Sequence, residues 1–114
     1  MNFDDLTFDA KILLDLNPEG WTKDPLHDLA KLTEETGEVA ECMVKSIKTV
    51  EDLGEELSDV LVVVAVLALR AGIDLNDVCP KKQQKRIQKL VDRFYDGKLP
   101  QRVRKDIAKH KRNK

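Results

Sequence analysis

Residues 60–69 form a run of ten consecutive apolar residues, which constrains the fold more than any other feature of the sequence. About 20 apolar residues are needed to span a bilayer, so a run of this length indicates a buried helix and not a membrane anchor. A helix that is apolar on all sides has to be enclosed by other helices. The sequence therefore predicts an all-α bundle with this segment at its centre.

Apolar spacing and capping residues predict three further helices around this segment. Asp24 and Pro25 suit the N-cap and first turn of a helix, whereas Pro80 must kink or restart the helix that contains it, because proline lacks a backbone donor. The predicted helices span residues 3 to about 17, 24 to about 47, 51–72 and 74–97. We interpret residues 1–97 as one domain and residues 98–114 as a basic tail that is either loose or weakly helical.

Charge is divided unevenly along the chain, although the net charge is only −1. Residues 1–60 hold 16 Asp and Glu against 5 Lys and Arg, whereas residues 61–114 hold 5 acids against 15 bases. This polarity suits a ligand that combines a metal cation with a polyanion. Simple attraction between the two halves of the chain explains it equally well.

The first residues, MNFDD, lack the basic segment and apolar run of a secretory signal, which predicts a cytoplasmic protein. Cys42 and Cys79 have no CxxC spacing. In a reducing compartment we expect both to be thiols, and we assign them no role.

Acidic residues cluster on one side of the second predicted helix. This side carries Glu34, Glu35, Glu38 and Glu41 with His27, Lys31 and Lys45, opposite Leu29, Leu32, Val39, Ala40, Met43 and Ile47. Taken alone, the pattern is typical of a solvated amphipathic helix. The second helix therefore gives only a suggestion of a site.

The third predicted helix gives its carboxylates a different environment. The face that carries Glu56 and Asp59 continues as Val62, Val63 and Val66, and no polar side is left beyond Asp59. Both carboxylates should therefore lie at the edge of a buried region. There they must be protonated, paired with bases or neutralised by a cation.

The pairs Glu35/Glu38 and Glu56/Asp59 both have i, i+3 spacing, which suits a shared metal site. Two such pairs on antiparallel neighbouring helices bring four oxygen ligands together. Oxygen ligands without His or Cys favour Mg²⁺ or Mn²⁺ over Zn²⁺, and Mg²⁺ also takes the phosphate oxygens of a substrate. A di-iron site is disfavoured, because it needs Glu-x-x-His pairs and neither histidine is placed in this way. The implied chemistry is centred on phosphate.

Residues 32–39, LTEETGEV, and residues 55–61, EELSDVL, resemble the EExxE…ExxD signature of the MazG-like nucleotide pyrophosphohydrolases. Similarity covers residues 26–94. The resemblance implies an enzyme that cleaves a nucleoside triphosphate between the α and β phosphates, with Mg²⁺ or, as a substitute, Mn²⁺. The metal ligands that it implies are Glu35, Glu38, Glu56 and Asp59. Glu38 or Glu35 would then orient or deprotonate the attacking water.

Candidates for contacting the pyrophosphate end lie on the fourth predicted helix. Lys82 matches a lysine that often contacts phosphate or sugar in the family, whereas Arg86 stands where asparagine is common. Lys82, Lys85 and Arg86 suit phosphate binding, arginine through bidentate contacts. A solvated basic helix face is an equally good explanation.

Two residues near the start of the second helix are candidates for contacting the base. Trp21 would stack on it, and His27 would hydrogen-bond its edge. The simpler interpretations are a tryptophan that covers the end of the bundle and a surface histidine. The sequence does not distinguish a pyrimidine deoxynucleotide, a modified nucleotide or phosphoribosyl-ATP as substrate.

A chain of 114 residues has limited surface with which to enclose residues 60–69. We therefore expect a homodimer that completes a four-helix core, or a homotetramer, as the resemblance also implies. One alternative function is a non-catalytic helical interaction module. Another is nucleic-acid binding through residues 98–114, against which the net charge of −1 argues.

Overall fold

In a computed structural model, residues 2–17, 24–45 and 48–113 are described, and these residues form helices without any strand. The all-α prediction is therefore confirmed for this part of the chain. The helices, in chain order, are α1 (Phe3–Leu16), α2 (Pro25–Val44), α3 (Val50–Ala71), α4 (Leu75–Phe94) and α5 (Gln101–Arg112).

Side chains that cap the helices fix where they begin. Asp24 accepts a hydrogen bond from the backbone N–H of Leu26 at 2.9 Å, as expected for the N-cap of α2. At the start of α3, Thr49 and Asp52 form a capping box, each side chain accepting from the other's backbone N–H at 3.1 Å and 2.8 Å. This box sets the start of the helix that carries Glu56 and Asp59.

The end of α3 requires a glycine. Gly72 has φ of +70°, the left-handed region that residues with a Cβ adopt at a cost. Its backbone N–H donates to the carbonyl oxygens of Ala68 and Leu69, and Ile73 N–H donates to Ala68 O at 2.8 Å. These bonds satisfy carbonyl groups that the last helical turn would leave unpaired.

Helix boundaries differ from the predictions at three places. The last residue of α2 is Val44, short of the predicted end, and Ile47 lies outside the described residues. The fourth helix runs through Pro80 without restarting and ends at Phe94, before the predicted Gly97. Residues 101–112 are helical, which resolves the choice between a loose tail and a helix, while the domain limits 1–97 and 98–114 stay a prediction.

The chain divides into two compact units, residues 1–76 and 77–114. In the first unit, α3 packs against both α1 and α2. The core between α1 and α3 is formed by Ala10, Ala65 and Val66, with Leu6, Leu14 and Val62 packed around it. The second unit contains most of α4 together with α5, and Val91 is its buried apolar residue.

The apolar run 60–69 is only partly enclosed. Val63 is 2% exposed and Val66 is fully buried, but Leu61 is 49% exposed. This agrees with the expectation that one chain cannot enclose the run, because α1 and α2 cover only part of its circumference. Across the described ranges, we find no helix with the length and apolar character required to cross a membrane.

Candidate metal centre

Four carboxylates converge where α2 packs against α3. Glu35 and Glu38 project from α2, and Glu56 and Asp59 project from α3. One carboxylate oxygen from each residue lies within 4.8 Å of the others. The i, i+3 spacing within each helix places both members of a pair on the side that faces the other helix.

The buried face of α2 lies between its acidic and its apolar sides. Asp28 is 1% exposed and Cys42 6%, whereas Leu29 and Met43 on the apolar side are 56% and 71% exposed. The interpretation of the acidic face as solvated, which α2 alone favours, does not hold for Glu35 and Glu38, which are half-buried. The helix leaves part of its apolar side uncovered.

Burial and neighbouring charge perturb two members of the cluster. Desolvation by burial is the largest cause that raises the pKa of Glu35, followed by the charges of Glu38 and Asp59. Desolvation also contributes most to the raised pKa of Glu56, followed by its hydrogen bond to Glu38 and the charges of Glu38 and Asp59. The ionised cluster is therefore unfavourable by itself, and a nearby positive charge would stabilise it.

The cluster leaves acceptor atoms without donors. The Oε2 atoms of Glu35 and Glu56 are buried and have no hydrogen-bond partner in the part of the chain that the structure describes. Two lysines on this side of α2 are paired elsewhere, Lys31 with Glu34 at 3.5 Å and Lys45 with Glu41. Buried acceptors without donors are costly, and four converging carboxylates are the ligand type of a hard divalent cation. The residues present therefore fit such an ion.

Comparison with known proteins supports the same region of the chain. The family model of the MazG nucleotide pyrophosphohydrolase domain matches residues 24–94, which is more than half of the chain. The chain belongs to this family. The match begins at Asp24, the N-cap of α2, and includes the whole of α2, α3 and α4. It therefore contains all four clustered carboxylates. Neither the curated proteins nor the solved structures give a significant match.

The other described residues that are predicted to contact a nucleotide lie on α4 and at the start of α2. Lys82, Lys85 and Arg86 are exposed on α4, in the second unit. His27 is half-buried in the first turn of α2. Trp21 lies outside the described residues, so the stacking role stays a prediction, as do the roles of the other four.

One buried ion pair was not predicted from the sequence. The Nε of Arg70 lies 3.5 Å from Oδ2 of Asp28, with the Asp28 side chain 1% exposed and the Arg70 side chain 22% exposed. This pair joins the first turn of α2 to the last turn of α3. The sequence does contain an indication of this pair. Arg70 is the only charged residue of α3 after Asp59, and a charged side chain close to a core needs a partner of opposite charge.

Proposed function

We propose that this chain is a Mg²⁺-dependent nucleoside triphosphate pyrophosphohydrolase that acts in the cytoplasm and removes unwanted nucleotides from the pool. The reaction releases a nucleoside monophosphate and pyrophosphate. The observation that supports this proposal most strongly is the convergence of four carboxylates within 4.8 Å on two helices that the family model covers.

In this proposal the two carboxylate pairs bind the metal ion. Glu35 and Glu38 on α2, with Glu56 and Asp59 on α3, would hold Mg²⁺, or Mn²⁺ as a substitute, through oxygen atoms. When bound there, the ion supplies positive charge that offsets the negative charge on the phosphate oxygens. Because α2 and α3 pack against each other, we expect the ligands to be positioned before a substrate arrives.

Glu38 and Glu35 are our candidates for handling the attacking water. Glu38 interacts with both Glu35 and Glu56, so it lies centrally in the cluster. A glutamate with an oxygen atom left over from metal binding accepts a hydrogen bond from the water and takes its proton as phosphorus is attacked. Glu35, the second candidate, lies beside Glu38 in the cluster.

Substrate contacts complete the proposal. Lys82, Lys85 and Arg86 are exposed cations on α4 that suit the pyrophosphate end of the nucleotide. His27 and Trp21 are the candidates for contacting the base. The nature of the base stays open in this proposal.

A homodimer is part of the proposal, because the single chain leaves apolar side chains uncovered on its first unit. Phe8 and Leu16 on α1 are 61% and 77% exposed, and Leu57 and Leu61 on α3 are 48% and 49% exposed. A second copy is the occupant we propose for these surfaces. It would enclose α3 and complete a four-helix core, and two dimers could pair into a tetramer.

A direct test measures pyrophosphate release from a panel of nucleoside triphosphates with Mg²⁺, with the products identified by chromatography. We expect the wild-type chain to release pyrophosphate and a monophosphate from at least one nucleotide, and EDTA to abolish the reaction. Glu38→Gln and Asp59→Asn should reduce the rate by at least about a hundredfold, since each removes a charged ligand.

Glu51→Gln provides the matched control. It makes the same chemical change in the first turn of α3, outside the carboxylate cluster, and it should retain wild-type activity. If no nucleotide is hydrolysed, or if hydrolysis persists in EDTA, the proposed function is wrong. A non-catalytic interaction module would give the first of these results.

A further inference from the structure

Basic residues dominate the second unit, and few of them are neutralised within it. Residues 77–114 contain 14 Lys and Arg against 4 Asp, which gives a net charge of +10. In the described part of this unit, Lys81 pairs with Asp77, and the other basic side chains form no ion pair. The net charge of the whole chain, −1, conceals this concentration of positive charge.

Four of these cations form a stripe along α5. Arg102, Lys105, Lys109 and Arg112 have i, i+3, i+7 and i+10 spacing, so they lie on one side of the helix over about 15 Å. All four are exposed, and Asp106 is the only acid of α5. Like charges at this spacing destabilise a helix, and a polyanion bound along the stripe would remove that repulsion.

Two exposed aromatic residues follow each other where α4 ends. Phe94 is 62% exposed and Tyr95 is 52% exposed. The guanidinium carbon of Arg93 lies 5.1 Å from the centroid of the Phe94 ring. Exposed rings beside cations are platforms on which unpaired bases stack.

Hydrogen bonds hold the turn that carries these rings between α4 and α5. Gly97 N–H donates to Val91 O at 3.2 Å, and Lys98 N–H donates to Tyr95 O at 3.0 Å. Gly97 has φ of +78°, which glycine adopts without strain. The aromatic pair and the cationic stripe are therefore joined by a short, hydrogen-bonded connection within one unit.

We propose that residues 93–112 form a binding surface for single-stranded nucleic acid. The α5 stripe contacts backbone phosphates, while Phe94 and Tyr95 stack on bases that are free of a complementary strand. The residues of this surface belong to the second unit, and the four carboxylates belong to the first. The relevant charge is that of the second unit and not that of the whole chain.

Other polyanionic partners fit the surface less well. Duplex nucleic acid offers its phosphates, but its bases stack on one another and leave nothing for Phe94 and Tyr95. A helix that lies on a membrane needs a broad face of bulky apolar side chains. On α5 the corresponding residues are Val103, which is half-buried, and Ile107, which is 36% exposed.

The test measures fluorescence anisotropy of labelled oligo(dT) and oligo(U) that lack a 5′ phosphate, titrated with the full chain in Mg²⁺ buffer. Four phosphate contacts predict that the logarithm of the affinity falls with the logarithm of salt concentration with a slope of about −3. Arg102→Gln/Lys105→Gln/Lys109→Gln/Arg112→Gln should weaken binding at least about tenfold and make the slope clearly shallower. The two oligonucleotides distinguish a preference for DNA from one for RNA.

Two controls separate charge, stacking and folding. Arg102→Lys/Lys105→Arg/Lys109→Arg/Arg112→Lys keeps every charge and should keep wild-type affinity, while circular dichroism reports the helix content of each variant. Phe94→Ala/Tyr95→Ala should weaken oligonucleotide binding about tenfold. The same variant should bind inorganic polyphosphate, which has no bases, as tightly as the wild type.

Four results would overturn the proposal. The first is that the glutamine variant binds oligonucleotides as tightly as the wild type, and the second is that the alanine variant loses polyphosphate binding and oligonucleotide binding equally. The third is that the wild type binds duplexes as tightly as single strands. The fourth is that the wild type binds phosphatidylserine vesicles more tightly than either oligonucleotide.

Discussion

Burial and charge oppose each other at the carboxylate cluster. Glu35 and Glu56 keep one oxygen atom each buried without a donor among the described residues, while Glu38 and Asp59 add negative charge within 4.8 Å. A divalent cation satisfies both demands, because it supplies positive charge and accepts the unused oxygen lone pairs. Without it, the same side chains repel each other.

Glu35→Gln should therefore affect stability in opposite directions with and without metal. In EDTA we expect the variant to melt a few degrees above the wild type, because one negative charge is removed from a partly buried cluster. With saturating Mg²⁺ the wild type should gain stability, and the variant should gain much less. Thermal unfolding followed by circular dichroism measures both differences. Equal stabilisation of the two proteins by Mg²⁺ would show that Glu35 is not a ligand.

The ion pair between Asp28 and Arg70 gives a second prediction at the same scale. Arg70→Met leaves the buried Asp28 carboxylate without its cation and should lower the free energy of unfolding by about 3 kcal/mol, near the lower end for buried pairs, because Arg70 is 22% exposed. Urea unfolding at neutral pH measures the loss. Asp28→Leu/Arg70→Met, which removes both charges, should recover most of it. A double variant no more stable than Arg70→Met would mean that the loss is not due to the unpaired charge.

The sequence predicted the carboxylate cluster but not this ion pair, and the difference has a physical reason. The spacing of Glu35/Glu38 and Glu56/Asp59 is local and follows from helix geometry, and the approach of the two pairs follows from antiparallel packing. Asp28 and Arg70 lie far apart in the sequence, and their contact depends on the register of α2 against α3. Periodicity within one helix carries no information on that register.

At the scale of elements, the interface between α2 and α3 includes acidic side chains. The inward face of α2 contains Asp28, Glu35 and Glu38, and Cys42 is the one buried apolar residue among those of α2 whose burial is described. Its periodicity predicted an acidic and an apolar side, but the buried face of the helix lies between the two. Which part of the circumference is buried depends on how α3 packs against α2, and the pattern of one helix does not contain that information.

This interface makes the stability of the metal-free protein depend on pH. The pKa values of Glu35 and Glu56 are raised above their ordinary value of 4.5, so the folded state binds more protons than the unfolded state just above pH 4.5. Stability from these groups is thus fully present below pH 4.5 and is lost as the pH rises through the raised pKa values. Urea unfolding in EDTA between pH 4.5 and 7.5 measures this decline. Glu35→Gln/Glu56→Gln should flatten it, and an unchanged slope would assign the dependence to other groups.

At the scale of the whole molecule, apolar side chains on α1 and α3 remain exposed beside the core of the first unit. Leu57 and Leu61 lie one turn apart on α3 and remain about half exposed, while Phe8 and Leu16 remain exposed on α1. The sequence predicted that residues 60–69 need more covering than one chain provides. It could not predict which residues of the run stay uncovered, because that depends on how α1 and α2 are placed around α3.

A charge placed in this stripe should dissociate the proposed dimer. Light scattering should give about 26 kDa for the wild type, twice the 13.0 kDa of one chain, and about half that mass for Leu61→Glu, because a charge in an apolar interface loses its hydration. Val78→Glu introduces the same charge on an exposed valine of the second unit and should leave the dimer intact. A folded, active wild-type monomer at micromolar concentration would contradict the proposed assembly.

The most direct test of the metal centre is a calorimetric titration of Mn²⁺ into the wild-type chain and into Glu38→Gln and Asp59→Asn variants. We expect saturable binding to the wild type, and binding at least about tenfold weaker in each variant, since each loses a charged oxygen ligand. Glu51→Gln, outside the cluster, should bind as the wild type does. Saturable binding of equal strength in all four proteins, or no binding to the wild type, would contradict the proposed metal centre.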